Sequence, residues 1–174
     1  GDLAAFHRLR THVPVTAITG SNGKTTTRQM TAQVVAQKYN TLATIGNYNN
    51  QIGAPLTLLR LTREYEQAVV ELGTNSPGEI ARLAQICAPD IGVVTNVGPA
   101  HLEGLGSLDG VMREKEQLIK HLNTGGTAVL NADDRRVYQM AKRTDKAVLF
   151  FGMSKKAEIR ASAVNEKTSG ISFN

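Results

Sequence analysis

Tryptophan is absent from this chain of 174 residues, and cysteine occurs once, at Cys87. A single cysteine excludes an internal disulfide, so a hydrophobic core must hold the fold together. No apolar run approaches the roughly 18 residues that a membrane span needs, and residues 1–8 have no signal-peptide core. We therefore expect a protein of the reducing cytoplasm, in which Cys87 is buried and unreactive at a helix end before Pro89.

Aromatic residues are also scarce, with four Phe and four Tyr. The chain carries 20 basic and 15 acidic residues, a net charge of +5 and a pI of about 9.5, which would suit a polyanionic partner. The basic residues are scattered, however, and few aromatic side chains are available for stacking on bases. We therefore expect the positive charge to serve nucleotide phosphates and an anionic substrate, with no nucleic-acid or membrane partner.

Short apolar segments alternate with segments of helical periodicity, within a length that suits one domain. The predicted strands are residues 13–19, 41–44, 67–72, 90–95, 127–130 and 146–151, and the predicted helices are residues 24–39, 55–61, 78–87, 107–122 and 133–144. The first helix is predicted to be amphipathic, because Met30, Val34 and Val35 fall at helical spacing on one face. The alternation is typical of an α/β fold with a mostly parallel, doubly wound sheet. The glycine-bracketed turn described next adds the expectation of a phosphate-loop topology. Residues 158–164 and 170–173 predict a small antiparallel pair near the end of the chain.

A glycine-bracketed turn follows the first predicted strand and opens the first predicted helix. It reads Gly20-Ser21-Asn22-Gly23-Lys24-Thr25-Thr26. In such a turn, backbone N–H groups approach the oxygens of a polyphosphate, the lysine supplies a fixed positive charge and the first threonine places a hydroxyl on Mg²⁺. The usual pattern has another glycine where Ile18 stands, so this is a shorter form of the loop. A plain strand-to-helix turn is the alternative, but the complete context favours nucleoside triphosphate binding.

Two further polar side chains come at the ends of predicted strands, where ligands gather in open parallel sheets. Glu71 follows the apolar residues 68–70 and is predicted to hold Mg²⁺, directly or through water. A solvated acid on an edge strand is the alternative, but this strand is apolar on both faces. His101 lies in the loop after the strand of residues 90–95, which favours a metal or substrate role over an ordinary packed or exposed histidine.

Lys115 lies in the predicted helix of residues 107–122, between Glu114 and Glu116. Its spacing alone predicts a solvated helix residue that pairs with neighbouring acids. Asp133 and Asp134 also follow a predicted strand. Capping of the next helix explains Asp133 without a catalytic role, so neither residue is assigned to the chemistry.

Four sequence blocks together resemble the Mur ligases. They are Gly20-Ser21-Asn22-Gly23-Lys24-Thr25-Thr26, Asn47-x-Asn49-Asn50-x-Ile52-Gly53-x-Pro55, Glu71-Leu72-Gly73-x-Asn75-x-x-Gly78-Glu79-Ile80 and Thr95-Asn96-x-x-x-Ala100-His101-Leu102-Glu103-Gly104. The short phosphate loop is shared with folylpolyglutamate synthases. The second block and the stretch Ala-His-Leu-Glu-Gly-x-Gly-Ser resemble the family members that join D-alanyl-D-alanine to UDP-N-acetylmuramoyl-tripeptide.

This resemblance implies an ATP-dependent amide ligase of peptidoglycan-precursor synthesis that works through an acyl phosphate. Lys24 and the loop amides would bind the β- and γ-phosphates, while Thr25 and Glu71 would hold one Mg²⁺. His101 would be a ligand of a second Mg²⁺. Lys115 aligns with a lysine that is carbamylated by CO₂ in this family and supports the second ion. The chain departs from the family pattern just after that position, where it has Glu116 and Gln117.

The resemblance also implies the substrate contacts and the domain organisation. Asn47, Asn49 and Asn50 would face the muramoyl-peptide substrate. Residues 1–12 would be the tail of an interdomain connection, and residues 13–174 a truncated central ATP-binding domain. The UDP-binding N-terminal domain and the C-terminal ligase domain would lie outside this chain, which we expect to be monomeric and inactive alone. Whether the third residue of the peptide is diaminopimelate or lysine stays open.

Two other functions fit the same residues. Another Mur ligase or a folylpolyglutamate-type ligase would share Lys24, Glu71 and His101 and would differ in its peptide acceptor. A non-catalytic nucleotide-binding module would bind ATP without any carboxylate-dependent release of phosphate.

Overall fold

A computed structural model describes residues 1–168 and 170–174 of the chain. Within this part, seven parallel strands form one sheet in the order β2-β3-β1-β4-β5-β6-β7. The strands are β1 (Val15–Thr19), β2 (Thr41–Ala43), β3 (Gln67–Glu71), β4 (Ile91–Val94), β5 (Thr127–Asn131), β6 (Ala147–Gly152) and β7 (Ile159–Arg160). The central strands β1, β3 and β4 are almost wholly buried, as expected for parallel strands that are covered on both faces.

Helices cover both faces of this sheet. They are α1 (Asp2–Thr11), α2 (Lys24–Val35), α3 (Gly53–Leu58), α4 (Glu79–Cys87), α5 (Leu102–Leu105), α6 (Leu108–Lys120) and α7 (Arg135–Met140), with a 3₁₀ turn at Ala141–Arg143. Helix α2 packs on one face, over Ile18, Val69 and Val93. Helices α1, α3, α4, α6 and α7 build the core on the other face. The predicted doubly wound parallel sheet is therefore confirmed.

The end of the chain differs in detail from the prediction. A small antiparallel pair is present, but its strands are β8 (Asn165–Lys167) and β9 (Gly170–Ser172), with Asn165 opposite Ser172. The predicted first strand, residues 158–164, does not pair there, because β7 extends the main sheet beside β6 instead. The Glu158 carboxylate helps to fix this arrangement by accepting a hydrogen bond from the Phe150 N–H at 2.8 Å. Alternation of polarity predicts a strand but does not say which edge it joins.

Residues 2–11 form helix α1, which the sequence analysis predicts only as part of a connection. The helix packs against α3 and α4. Its buried residues are Ala4 and Arg8, and the Arg8 guanidinium donates to the Cys87 carbonyl at 2.9 Å, at the end of α4. The larger apolar residues of α1 are exposed, so the hydrophobic periodicity of this segment does not reveal its packed face.

Helix α2 also packs differently from the prediction. It ends at Val35 rather than near residue 39, and Met30 and Val34 are exposed. The residue of α2 that is buried against the sheet is Arg28. The apolar spacing of this helix is therefore misleading, because a charged contact with the sheet decides which face turns inward.

Other local predictions concern helix ends. Cys87 is buried at the end of α4 as predicted, and burial raises the pKa of its thiol to about 12. Ser107 caps α6, where its side chain accepts from the Gly110 N–H. The cap of α7 is Asp134 rather than Asp133, whose carboxylate instead accepts from the Met153 and Ser154 N–H groups. In the described part of the chain, every helix is too short or too polar to cross a bilayer.

Candidate active site

The glycine-bracketed turn lies at the carboxyl end of the central strand β1, where helix α2 begins. Gly20 is in close contact with the loop that follows β4: a Cβ at this position would come within 1.8 Å of the Thr95 hydroxyl. Thr95 donates that hydroxyl to the Asn22 carbonyl at 2.7 Å. Ser21 exchanges hydrogen bonds with both backbone groups of Gly98, at 2.9 and 3.0 Å. The turn is therefore braced by a neighbouring loop, which fixes its N–H groups before any ligand arrives.

Lys24 extends over this turn. Its ammonium donates to the carbonyls of Gly20 at 2.9 Å and Ser21 at 3.1 Å. Burial lowers the pKa of Lys24, and the nearby charge of Glu71 opposes that shift. A cation and a row of backbone donors thus meet at the start of α2, where the helix dipole also favours an anion.

Glu71 lies at the end of β3, beside β1, and its carboxylate is almost completely buried. Its Oε1 accepts hydrogen bonds from the Thr25 hydroxyl at 3.2 Å and from the Asn49 amide at 2.8 Å. Its Oε2 accepts from the Arg28 Nε at 3.2 Å. The structure therefore brings together three residues that the sequence analysis places at the site, namely Thr25, Asn49 and Glu71.

Arg28 is a site residue that the sequence analysis misses. It is buried, and it also donates to the carbonyls of Thr44 and Gly46. An arginine within a helix is usually solvated, so its residue type gave no signal. The spacing of Arg28 does indicate a position at the site, because Arg28 follows Lys24 by four residues and Thr25 by three and therefore lies on the same face of the helix.

A polar cavity of about 190 Å³ opens beside the phosphate loop. Its lining residues are Lys24, Asn47, Asn49, Asn50, Gly73, Thr74, Asn75, Glu79, His101 and Lys115. Six of these residues are predicted site residues; five of them come from three of the four sequence blocks, and Lys115 lies outside those blocks. A larger groove of about 360 Å³ lies between α1 and residues 59–63, but it is mainly apolar and contains no carboxylate. The smaller cavity is therefore the candidate active site.

The three predicted substrate asparagines line this cavity in different ways. Asn49 is fixed by its hydrogen bond to Glu71. The Asn50 side-chain oxygen accepts from the N–H groups of Ile52 at 3.0 Å and Gly53 at 2.9 Å, so it also organises the start of α3. Among the described residues, the Asn47 side chain forms no hydrogen bond with a neighbour, and Asn47 is exposed at the cavity mouth.

His101 precedes helix α5 and lines the same cavity. Its φ of 53° is in the left-handed region, which is unusual for a residue other than glycine and often marks a functional site. Glu79 lies on the same wall and was not predicted as a site residue. Burial opposes ionisation of Glu79, but hydrogen bonds from the Asn75 and Ser76 N–H groups and from Thr74, together with the nearby His101, hold its pKa below the ordinary value.

Lys115 contradicts the prediction made from its spacing. It is 2% exposed, and no ion pair within the described residues includes it. Glu114 is directed to the start of α4, where it accepts from the Gly78 and Ile80 N–H groups, each at 2.8 Å. Glu116 pairs with Lys120 at 3.1 Å. Burial, and then the positive charge of Lys24, lower the pKa of Lys115 to about 8, while Glu114 opposes the shift.

Comparison with known proteins identifies the family of this chain. Residues 18–174 match the family model of the Mur ligase middle domain. The chain belongs to the Mur ligase family. This confirms the family that the four sequence blocks indicate.

Named relatives and solved structures of Mur ligases support the same conclusion. The UDP-N-acetylmuramoyl-tripeptide–D-alanyl-D-alanine ligase of Escherichia coli K12 is 49% identical over 134 residues, which cover 77% of this chain and 30% of that protein. The crystal structure of MurF from Acinetobacter baumannii matches with a TM-score of 0.89 and 31% identity, covering 98% of this chain and 40% of that one. MurF from Thermotoga maritima in complex with ADP matches with a TM-score of 0.87 and 31% identity, covering 99% and 40%. The chain thus spans between 30% and 40% of the length of these relatives.

One Mg²⁺ site fits the residues of this Mur ligase middle domain. The Thr25 hydroxyl and the Glu71 carboxylate offer neighbouring oxygen ligands of the kind that Mg²⁺ prefers. A second site around His101 has one carboxylate on its wall, Glu79, but the unmodified side chains fit it poorly because Lys24 and Lys115 line the same cavity and would repel a cation. Among the described residues, no group of three or more His, Cys, Asp or Glu side chains could hold a metal.

Proposed function

We propose that this chain is the ATP-binding middle domain of a ligase that joins D-alanyl-D-alanine to UDP-N-acetylmuramoyl-tripeptide. The observation that carries the proposal is one shared sheet edge, where the phosphate loop, the Thr25–Glu71 pair and the polar cavity with Lys115 meet. The relatives that carry this enzyme name support the choice of substrates. Residues 13–174 would form this domain, and the UDP-binding and C-terminal domains would belong to the longer protein.

The proposed reaction has two steps. A carboxylate oxygen of the tripeptide attacks the γ-phosphorus of ATP, the bond between the γ-phosphorus and the bridging oxygen breaks, and ADP leaves. The amine of D-alanyl-D-alanine then attacks the carbonyl carbon of the acyl phosphate and loses a proton. The tetrahedral intermediate collapses as the carbon–oxygen bond to phosphate breaks, which gives an amide and inorganic phosphate.

In this proposal, the phosphate loop binds the ATP phosphates. The N–H groups of residues 20–26 and the Lys24 ammonium stabilise the negative charge on the β- and γ-phosphates. The loop is already braced by Thr95 and Gly98, so little reorganisation is needed when the nucleotide binds. Asn47, Asn49 and Asn50, which line the same cavity as Lys24, would face the muramoyl-peptide.

Thr25 and Glu71 would hold Mg²⁺ through their oxygens. When bound, the ion supplies positive charge that neutralises the phosphate oxygens and orients the transferred group. Glu71 is suited to this role because its strand is buried and its carboxylate position is fixed by three donors.

Lys115 would be carbamylated. Its buried amine has a pKa of about 8, so a substantial fraction is neutral near physiological pH and can attack CO₂. A nitrogen–carbon bond forms, the nitrogen loses a proton, and the lysine becomes an anion. That anion would no longer repel a second Mg²⁺ near His101, which resolves the poor fit of the unmodified cavity.

Two further parts of the proposal, the cell compartment and the oligomeric state, concern the whole protein. Because the reaction consumes ATP, we propose that it takes place in the cytoplasm. We also propose that the enzyme works as a monomer, with all of the roles above supplied within one chain. The 174 residues alone would not turn over, since they span less than half of the relatives' length.

The experiment that tests this function replaces Lys24 with alanine in the full-length protein. We expect loss of ADP formation in the presence of both substrates, with an unchanged circular dichroism spectrum. Lys142→Ala is the matched control, because Lys142 is exposed and does not line the cavity. Retained activity in Lys24→Ala would contradict the assignment of the phosphate loop.

A further inference from the structure

Both oxygens of Glu71 are occupied by donors from this chain. Oε1 accepts from Thr25 and Asn49, and Oε2 accepts from the Arg28 Nε at 3.2 Å. The side chains of Glu71 and Arg28 are 1% and 6% exposed, so water screens this ion pair very little. A cation that approaches the Glu71 carboxylate must therefore act against the guanidinium charge.

The position of Arg28 is fixed independently of Glu71. Its guanidinium donates to the carbonyls of Thr44 and Gly46, at the end of β2. The Thr44 hydroxyl in turn accepts from the Glu71 N–H at 3.0 Å. Arg28 thus connects α2 to two strand ends, and rotation away from Glu71 would leave buried polar groups without partners.

The charged side chains around the Arg28–Glu71 pair determine the net charge of the site. Glu71 and Arg28 neutralise each other, and Lys24 adds a further positive charge at the loop. Without a polyphosphate the site is therefore net positive and a poor place for a divalent cation. A bound nucleotide would supply several negative charges beside Lys24 and reverse that sign.

We infer that Arg28 is a positioning residue that makes divalent-cation binding at Glu71 depend on bound nucleotide. It holds the carboxylate in place for the metal while lowering the carboxylate's affinity for a cation that arrives alone. The inference rests on the proposed role of Glu71 as a metal ligand. It adds an order of events, in which the metal enters with the nucleotide and not before it.

The test measures Mn²⁺ binding by electron paramagnetic resonance in the full-length protein, without nucleotide and with ADP. Arg28→Gln removes the charge and keeps N–H donors for Thr44, and Arg28→Lys keeps the charge. Binding that is lost in Glu71→Gln is assigned to this site. Arg136→Met is the matched control, because Arg136 also pairs through its Nε, with Asp109 at 3.3 Å, but on the surface.

We expect Arg28→Gln to bind Mn²⁺ without nucleotide at least about tenfold more tightly than the wild type. This is the lower end of the effect that a neighbouring cation has on the proton affinity of a carboxylate. Arg28→Lys and Arg136→Met should keep the wild-type dependence on ADP. A purely structural Arg28 would change the unfolding midpoint of the variants without changing the ratio of the two Mn²⁺ affinities.

Two other outcomes separate the inference from the function on which it rests. If the wild type binds Mn²⁺ equally well with and without ADP, or if Arg28→Gln leaves nucleotide-free binding unchanged, the role of Arg28 is wrong. If Glu71→Gln removes no Mn²⁺ binding in the presence of ADP, the metal role of Glu71 itself fails. Should Arg28→Gln not fold, Arg28→Met removes the charge with a side chain of similar packing, and nucleotide-free Mn²⁺ binding that stays at the wild-type level in that variant refutes the charge effect.

Discussion

Replacing Lys115 with methionine should stabilise the unmodified protein at neutral pH. Lys115 is 2% exposed and has no carboxylate paired with its ammonium among the described residues. Methionine has a similar length and fills the same space without a charge. The substitution therefore removes the cost of burying an ammonium group and leaves most of the packing in place.

The magnitude follows from the pKa. The pKa of Lys115 falls from 10.5 to about 8 on folding, and a tenfold change in proton affinity corresponds to ~1.4 kcal/mol. Well below pH 8 the lysine is protonated in both states, so at pH 7 and below folding carries nearly the full penalty of about 3 kcal/mol. Between pH 8 and 10.5 the unfolded chain holds the proton more strongly, so the wild type gains stability as the pH rises. Above pH 10.5 both states are neutral and the penalty disappears.

Urea unfolding of wild type and Lys115→Met at pH 7 and pH 10 tests this reasoning. The buffers must be free of CO₂ and bicarbonate, so that carbamylation does not change the charge. The advantage of the variant should shrink by about 2 to 3 kcal/mol between pH 7 and pH 10. The exposed Lys142→Met should show no such change. If the difference in the free energy of unfolding between Lys115→Met and wild type stays constant over this range, Lys115 does not carry a buried, uncompensated charge.

Two further predictions concern residues outside the proposed chemistry. Cys87 should be unreactive toward Ellman's reagent in the folded protein and react fully in urea, because it is buried and its thiol has a pKa of about 12; rapid labelling without urea would contradict this. Glu114→Ala should lower the free energy of unfolding by about 1 to 3 kcal/mol, because it leaves the Gly78 and Ile80 N–H groups without an acceptor. The exposed Glu64→Ala is the control, and equal effects of the two changes would show that Glu114 does not hold α4.

Local pattern predicts the fold well because the buried parallel strands leave a clear signal. Apolar segments separated by helical periodicity locate β1, β3, β4 and β5 to within one or two residues of the observed bounds. The phosphate loop and Glu71 are equally visible, since each comes directly after such a strand. These features depend on neighbours in sequence, so the sequence alone carries most of the information.

The buried positions that helical spacing fails to predict depend on contacts between distant segments. Arg28 and Lys115 both lie in helices where charged residues are normally solvated, and only the assembled sheet shows that they are buried. Helix α1 exposes its large apolar residues and buries Ala4 and Arg8, so its periodicity gives the wrong face. In each case the groups that surround the buried residue, whether a carboxylate, a carbonyl or the residues of a cavity wall, come from segments more than about ten residues away along the chain. Helical periodicity reflects only neighbours within a few turns and does not reveal such contacts.

The central claim, an acyl phosphate formed by a ligase that contains this domain, has a direct isotopic test. The full-length protein is supplied with ATP, D-alanyl-D-alanine and UDP-N-acetylmuramoyl-tripeptide whose terminal carboxylate is labelled with ¹⁸O. Mass spectrometry of the inorganic phosphate should show a labelled oxygen transferred from that carboxylate, because the carboxylate oxygen remains on phosphorus when the amide forms. Amide formation with unlabelled phosphate would contradict the account.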